Sequence, residues 1–521
     1  MRQIRKKAWL LVLFSAALQV LSFPLPGLYV LSWISIAPLL VALLHANNPD
    51  TLQLDESRKF VPALPWQGFL LGYACGILWY LGTCYWVYDT MHQYGGLNIA
   101  VALLVLLLFA LYLGLYHGLF ALLVSVLARK DSGNRLALLS APFLWVAVEL
   151  VRTRVSGFPW DLLGITQVDN IPLTRLATVT GVYGLSFEIL LVNVAVASAF
   201  LVHRSRRKPL IFASIGAIVL LQAGRWLTLP PVPADHAAVL LQQNLPSGAS
   251  DAWTDDQMRR ELREFSTLSL SLLPKQHPDL IVWPESPAPF LTNDAAFREP
   301  IGNLAREANA WLVIGSIGVE NPHAFFNSAS LISPTGASPV RYSKIHLVPF
   351  GEYVPFASVF SFASGLTQAV GNFTRGTLHE PLQAGDQKLG VFICYESIFP
   401  NEVRQLADQG AGVFVNISND GWYGDSGAWA QHLNQARMRA IENDRWLLRD
   451  TNTGLTASID PYGRVVARLE RKTRAALAAP YALTKVTTFY SRHGDWFAFL
   501  CAIISIGALI VRFTPQRKTE S

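Results

Sequence analysis

The chain has 521 residues, 51% of them hydrophobic and 15% charged, where an ordinary soluble protein carries about 25% charged residues. Four cysteines, no glycine period and this apolar content exclude a disulfide-stapled, a collagen-like and a disordered chain. The formal net charge of +6 admits nucleic acid or anionic lipid as a partner, and the placement of Lys and Arg decides between them.

Stretches free of Asp, Glu, Lys and Arg cover 8–46, 66–88, 90–128, 189–203, 209–224 and 496–511. A hydrocarbon core needs ~20 apolar residues per helix and tolerates ~17. Pro24, Pro26 and Gly27 split the first stretch. The pattern predicts a polytopic α-helical membrane domain of about eight spans: 8–23, 28–45, 66–88, 97–128, 136–151, 178–202, 209–226 and 496–512. Two of them carry Glu149 and Glu188, and an acid inside a membrane faces protein or water rather than lipid. Residues 236–490 have ordinary polar content and read as one soluble domain. The predicted division is 1–235 for spans one to seven, 236–490 for the soluble domain, and 491–521 for span eight and a tail.

Short-loop cations set the orientation. Sixteen Lys and Arg lie at the N-terminus, after spans two, four and six, and in the tail; the intervening loops hold Arg152, Arg154 and Arg175. Both termini are therefore expected in the cytoplasm and the soluble domain outside, which in a bacterium is the periplasm. The basic N-terminus before an apolar run resembles a signal peptide, but no small-x-small cleavage site ends the run, so an uncleaved first helix is expected. The positive charge is thus a topology signal, and nucleic acid is not an expected partner.

Within the soluble block, short β-branched runs at 237–242, 279–283, 311–315, 389–393 and 412–417 predict strands covered on both faces. Helical spacing of Met258, Leu262, Phe265, Leu268 and Leu272 predicts a helix over 254–273, capped by Thr254 or Asp255, and 429–442 predicts another. Turn residues around Pro334-Thr335-Gly336 and Asp460-Pro461-Tyr462-Gly463 predict two hairpins. The alternation indicates an α/β domain with a mixed or antiparallel-rich sheet.

Cys75, Cys84 and Cys501 fall in predicted spans, where a thiol is usually a small buried hydrophobe. Cys394 has no partner in the soluble domain. Burial statistics favour an inert core thiol, but Cys394 ends a strand and precedes the polar turn Tyr395-Glu396-Ser397, which suits an accessible nucleophile. Strand ends in α/β folds are where sites gather. Glu285 follows another strand in Trp283-Pro284-Glu285-Ser286-Pro287, and Lys344 ends the return strand of the first hairpin. Taken singly, these two would be an exposed Glu and a solvated Lys. Together with a Cys they make chemical sense: a carboxylate can take the thiol proton, and an ammonium can stabilise both a thiolate and an oxyanion. His346 and His432 lack metal-ligand spacing, no Gly-rich phosphate motif occurs, and no cofactor is expected. The segment 353–370, with Phe356, Phe360, Phe362 and Leu366, is apolar for a loop and reads either as core or as a lid that dips into lipid.

The motifs WPES around Glu285, YSKIHLVPFGEY around Lys344 and FICYES around Cys394 resemble those of the nitrilase superfamily of Glu-Lys-Cys enzymes. With seven spans before that domain and one after, the whole chain resembles the membrane-embedded apolipoprotein N-acyltransferases. The resemblance implies an α-β-β-α sandwich. It also implies a ping-pong reaction in which Cys394 takes an acyl chain from the sn-1 position of a phospholipid such as phosphatidylethanolamine. The chain then passes to the α-amino group of an apolipoprotein's diacylglyceryl-cysteine. It assigns Glu285 as base, Lys344 as oxyanion stabiliser and Cys394 as nucleophile. Glu352 matches a supporting acid, Tyr395 and Glu396 match residues that shape the site, and Trp253 matches a tryptophan near it. A monomer in the bacterial inner membrane is implied as well. Three rival readings are a membrane-anchored amidase or nitrilase, for which one helix would suffice, a transporter with a degenerate sensor domain, against which intramembrane charges are few, and a catalytically dead scaffold, against which all three positions are filled.

Overall fold

In the computed structural model, the residues described are 4–47, 61–128, 134–201, 204–227, 229–246, 253–273, 277–337, 340–353 and 372–514. The segment 354–370 of the expected lid and the loop cations Arg2, Arg58, Lys59, Arg129, Lys130, Arg517 and Lys518 lie outside them. The chain forms two compact units: Met1–Tyr88 with Ile99–Thr228 and Asp495–Ser521, and Asp89–Asn98 with Leu229–Gly494.

The first unit is helical: α1 (Lys6–Ser22), α2 (Ala37–His45), α3 (Pro65–Thr83), α4 (Ile99–Leu127), α5 (Arg135–Val151), α6 (Val182–Leu201), α7 (Arg204–Ala223) and, after the second unit, a helix at Trp496–Phe513. Among the described residues five helices are long and apolar enough to cross a membrane, or six if the bent pair Pro65–Thr83 and Trp86–Tyr94 is one span. Two expected spans are interrupted. Residues 29–45 pass through a 3-10 turn and a short helix before α2. Residues 177–201 break at Gly181, whose φ of +65° ends one short helix before α6 begins. The closest helix packing is between α3 and α4. A Cβ on Gly72 would lie 2.3 Å from the Ala121 Cβ, and one on Gly76 would lie 2.7 Å from the His117 Cβ. Small residues four apart thus let two apolar helices meet backbone to backbone, the means by which helices associate where lipid removes the hydrophobic drive.

The second unit contains, among the described residues, two six-stranded sheets. The strands are β1 (His236–Gln242), β2 (Leu280–Val282), β3 (Trp311–Asn321), β4 (Ala324–Ile332), β5 (Val340–Ser343), β6 (Leu382–Ala384), β7 (Gln387–Ile393), β8 (Val413–Ser418), β9 (Leu447–Thr451), β10 (Ala457–Ile459), β11 (Val465–Arg468) and β12 (Ala475–Tyr481). One sheet has the order β12-β1-β2-β3-β4-β5 and the other β11-β10-β9-β8-β7-β6. Both are mixed: β1, β2 and β3 run parallel, as do β7, β8 and β9, and antiparallel strands close the edges. The two expected hairpins are β4–β5 and β10–β11.

Side chains alternate along these strands as period-two geometry requires. Ala238, Leu240, Leu280, Val282, Val313, Val391, Ile393, Val413 and Val415 join one core cluster drawn from both sheets. Val239, Leu241, Ile281, Leu312 and Ile314 face instead the helices Asp255–Leu270 and Ala295–Ala308. Phe392, Phe414 and Leu447 face the helices Pro400–Asp408 and Ala428–Asn443. The layers are therefore helix, sheet, sheet, helix. Each fully buried Val or Leu contributes about 1.5–3 kcal/mol relative to exposure, which is why these runs are apolar on both faces. Thr254 caps the Asp255–Leu270 helix through a capping box with Gln257.

Strand direction places the site. Strand β5 is antiparallel to β4, and β4 to β3, so β5 points the same way as β2 and β3. Glu285 and Lys344 consequently leave the same edge of one sheet, and Cys394 leaves the carboxyl end of β7 in the other.

Candidate active site

Glu285 sits three residues past β2, on a loop that lies against strand β3. A Cβ on Gly315 would come within 2.1 Å of the Pro284 carbonyl oxygen and 2.9 Å of the Glu285 Cα. Only a glycine lets this loop come so close. Ser286, the next residue, has φ +45°, in the left-handed region that costs a non-glycine residue energy. Cys394 has φ +49° at the head of the 3-10 turn Cys394–Ile398. Strained backbone thus occurs beside one candidate residue and at another.

The carboxylates of Glu285 and Glu352 flank Lys344. The ammonium donates to Glu352 Oε1 at 2.8 Å and to Glu285 Oε1 at 3.1 Å. The Asn327 amide, in the middle of β4, donates to the same two oxygens, of Glu352 at 2.6 Å and of Glu285 at 2.7 Å. The second oxygen of Glu285 accepts from the Asn419 N–H at 2.8 Å, and that of Glu352 from the Val348 N–H at 2.8 Å. Lys344 is 1% exposed and Glu285 6%, so neither is the solvated charge that a single Lys or Glu would be. Burial disfavours the ammonium, but the Glu285 and Glu352 carboxylates outweigh it and hold Lys344 well above the usual lysine value.

Cys394 is within electrostatic reach of Lys344 and Glu285, and Ser418 lies close enough to favour its thiolate. The sequence suggested an accessible thiol; the structure buries it at 7% exposure, because the turn after it folds inward on Glu396. Burial pushes the thiol pKa up, the Glu285 charge adds to the rise, and Lys344 opposes it. The resting state is therefore a neutral thiol. With two carboxylates and one ammonium the buried cluster already carries one net negative charge. A free thiolate would double it, whereas passing the thiol proton to Glu285 leaves it unchanged. The geometry favours a base-coupled nucleophile over a preformed thiolate.

Glu396 ties the Lys344 and Cys394 loops together. One carboxylate oxygen accepts from the Ile345 N–H at 2.6 Å, the His346 N–H at 3.1 Å and the Tyr342 hydroxyl at 2.9 Å. The other accepts from the Ile393 N–H at 2.7 Å. Burial raises the Glu396 pKa, against these N–H groups. Tyr395 is buried, with its ring 5.8 Å from that of His346. Trp253 does not join this hydrogen-bonded cluster: it is 39% exposed, just ahead of the Thr254 cap.

Several further residues, none of them a candidate site residue in the sequence, stand behind Cys394. His432 Nε2 lies 3.1 Å from the Cys394 carbonyl oxygen and 2.8 Å from the Ser397 hydroxyl. Its Nδ1 lies 2.9 Å from Asp420 Oδ1, and Arg449 donates to Asp420 Oδ2 at 2.7 Å. Burial and the Arg449 charge lower the His432 pKa, so the imidazole is neutral near pH 7. Asn327 could have been noticed as an amide inside an otherwise small or apolar strand, and Arg449 and Asp450 as charges inside the run Leu447–Thr451. Among the described residues no cluster of His, Cys, Asp or Glu has the arrangement of a metal site.

Two family models match the chain. The apolipoprotein N-acyltransferase N-terminal domain matches residues 15–195, and the carbon-nitrogen hydrolase domain matches 242–489. An apolipoprotein N-acyltransferase from Geobacter metallireducens is 34% identical over 99% of this chain and 97% of its own length. Another, from Methylococcus capsulatus, is 34% identical over 93% of each chain. A third, from Pseudomonas aeruginosa, is 32% identical over 99% of each. Among solved structures, a carbon-nitrogen hydrolase from Helicobacter pylori aligns with a TM-score of 0.37 at 18% identity, covering 47% of this chain and 88% of that one.

Proposed function

The chain belongs to the apolipoprotein N-acyltransferase family, and on that premise we propose that it transfers an acyl chain from the sn-1 position of a phospholipid to the N-terminal amine of diacylglyceryl apolipoproteins, through a thioester on Cys394. The observation that carries the reading is the buried ammonium of Lys344 flanked by the carboxylates of Glu285 and Glu352, with the thiol of Cys394 in electrostatic reach.

In the first half-reaction Glu285 takes the thiol proton as sulfur attacks the ester carbonyl. The oxyanion forms beside Lys344, the one buried ammonium in this cluster. Collapse breaks the ester C–O bond, and the lysophospholipid oxygen leaves with the proton held on Glu285. In the second half-reaction the acceptor's neutral amine attacks the thioester, Glu285 takes the amine proton, and the C–S bond breaks. The thiolate recovers its proton from Glu285. Glu352 and Asn327 hold the lysine and the base in place. Tyr395 and Glu396 shape the loop that carries the nucleophile, and Trp253 lies near the substrate path. A buried site suits this chemistry, because water reaching the thioester would make the enzyme a lipase.

The same reading has eight membrane spans, with the interrupted segments at 29–45 and 177–201 and the bent segment at 65–94 each counted as one. Both termini are cytoplasmic, residues 236–490 are periplasmic in the inner membrane, and the enzyme acts as a monomer without a cofactor.

The test is N-acylation of a synthetic diacylglyceryl peptide by purified protein with phosphatidylethanolamine as donor. Glu285→Gln, Lys344→Met and Cys394→Ala should each lower transfer by at least about a hundredfold, the scale of one lost acid-base or oxyanion group. Wild-type rates in Cys394→Ala would rule out the thioester route. Release of free fatty acid with no acylated peptide would point to a hydrolase.

A further inference from the structure

Away from the Cys394 site, the first unit carries a groove of about 460 Å³ between α1, α2, α6 and α7. Leu11 and Phe14 line it from α1, Val41 from α2, Phe200 from α6, and Ile211 and Ile215 from α7. It presents only apolar surface. Phe14, Phe200 and Ile215 are about half exposed, so the groove opens outward. Its volume falls in the range of about 300–1,000 Å³ typical of small-molecule sites.

One end of this groove carries basic side chains from α1 and α7. Arg5 caps α1 six residues before Leu11, His45 ends α2 four residues after Val41, and Arg207 lies on α7 four residues before Ile211. At ~1.5 Å per helical residue these groups sit about one to two turns beyond the apolar wall. They converge: Arg5 and Arg207 both act electrostatically on His45. Arg207 also borders the wall directly, with its guanidinium 6.0 Å from the Phe200 ring and a contact of 3.5 Å to the Phe200 carbonyl oxygen. Its Nε is buried and has no hydrogen-bond partner. Lys6, Lys7 and Lys208 add charge at the same end, and among the described residues no Asp or Glu lies in 4–47 or 204–227.

We propose that this groove is a binding site for an anionic phospholipid, one acyl chain lying along α7 and the phosphate held by Arg207 and Arg5. An apolar slot that ends in cations is complementary to a lipid whose headgroup carries net negative charge. Basic pockets between membrane helices on the cytoplasmic side hold such headgroups. A zwitterionic lipid fits the slot but brings its own cation to the basic end. The site is independent of acyl transfer.

The test uses the full-length protein carrying Cys394→Ala, so that no lipid is turned over. It is titrated in detergent with phosphatidylglycerol or phosphatidylcholine of identical chains, and bound lipids are counted by native mass spectrometry. One phosphatidylglycerol should be retained about tenfold more tightly than phosphatidylcholine. Arg207→Gln should lower that preference about fivefold, the effect of one basic side chain near a lipid surface. Ile215→Trp, at an exposed lining position that tolerates a larger ring, should remove the retained lipid of either kind. A lipid at the Cys394 site would be insensitive to both substitutions. Equal retention of the two lipids, or an unchanged phosphatidylglycerol preference in both variants, would overturn the proposal.

Discussion

Cys394 is the residue on which the proposed chemistry turns, and its environment makes a specific demand. Burial and the Glu285 charge hold its thiol above the usual value of 9.0, so less thiolate is present between pH 7 and 9 than in free cysteine. Alkylation by iodoacetamide should therefore be slower than for a free thiol and should keep rising above pH 9 instead of levelling there. Lys344→Met removes the one charge that favours the thiolate and should slow it further. A rate that levels near pH 7 would mean a preformed thiolate. Cys394 and Glu285 were legible as candidates because each lies at the end of an apolar run, and Lys344 because it ends the return strand of a hairpin. Their juxtaposition was not legible from spacing, since it depends on β5 pointing the same way as β2, and only the resemblance implied it. Asn327, Asn419 and His432 were missed for a related reason. An amide in a strand, a backbone N–H just past one or a histidine on a helix has no local signature of what it touches 42, 134 or 38 residues away.

At the scale of elements, the two sheets meet through an apolar cluster, but the two candidate loops meet through Glu396. Its carboxylate holds N–H groups from the Lys344 loop and from the end of β7. Glu396→Ala strands these donors in a buried place, where each unsatisfied group costs about 1–3 kcal/mol. The variant should lose about 3 kcal/mol of stability along with its activity, read as a lower thermal unfolding midpoint of the full chain in detergent. Glu396→Gln, which keeps one acceptor oxygen, should lose less. Equal stability of Glu396→Ala and the parent would mean that the loops are held by packing alone. The strands and hairpins of this unit were readable because both faces of each central strand are covered, which leaves short apolar runs between turn residues. Helix interruption was less readable. Gly181 and the residues near 29–36 lie inside apolar runs, and hydropathy does not register a left-handed glycine or a 3-10 turn.

For the molecule as a whole, the proposed function requires both substrates to reach Cys394 from a membrane, and the proposed topology puts the Leu229–Gly494 unit outside the cytoplasm. A cysteine introduced at exposed Glu470 should react with a membrane-impermeant maleimide in cells whose outer membrane has been permeabilised, while one at Lys208 should react only after lysis. The opposite pattern would invert the orientation. Neither result tests the central claim, which is covalent. That claim is met most directly by the intact mass of the purified protein after incubation with phosphatidylethanolamine. The account predicts a gain of one fatty acyl chain, removed by hydroxylamine, absent in Cys394→Ala, and discharged onto a diacylglyceryl peptide. A folded protein with Cys394 reduced that gains no mass, yet still acylates the peptide, would contradict it.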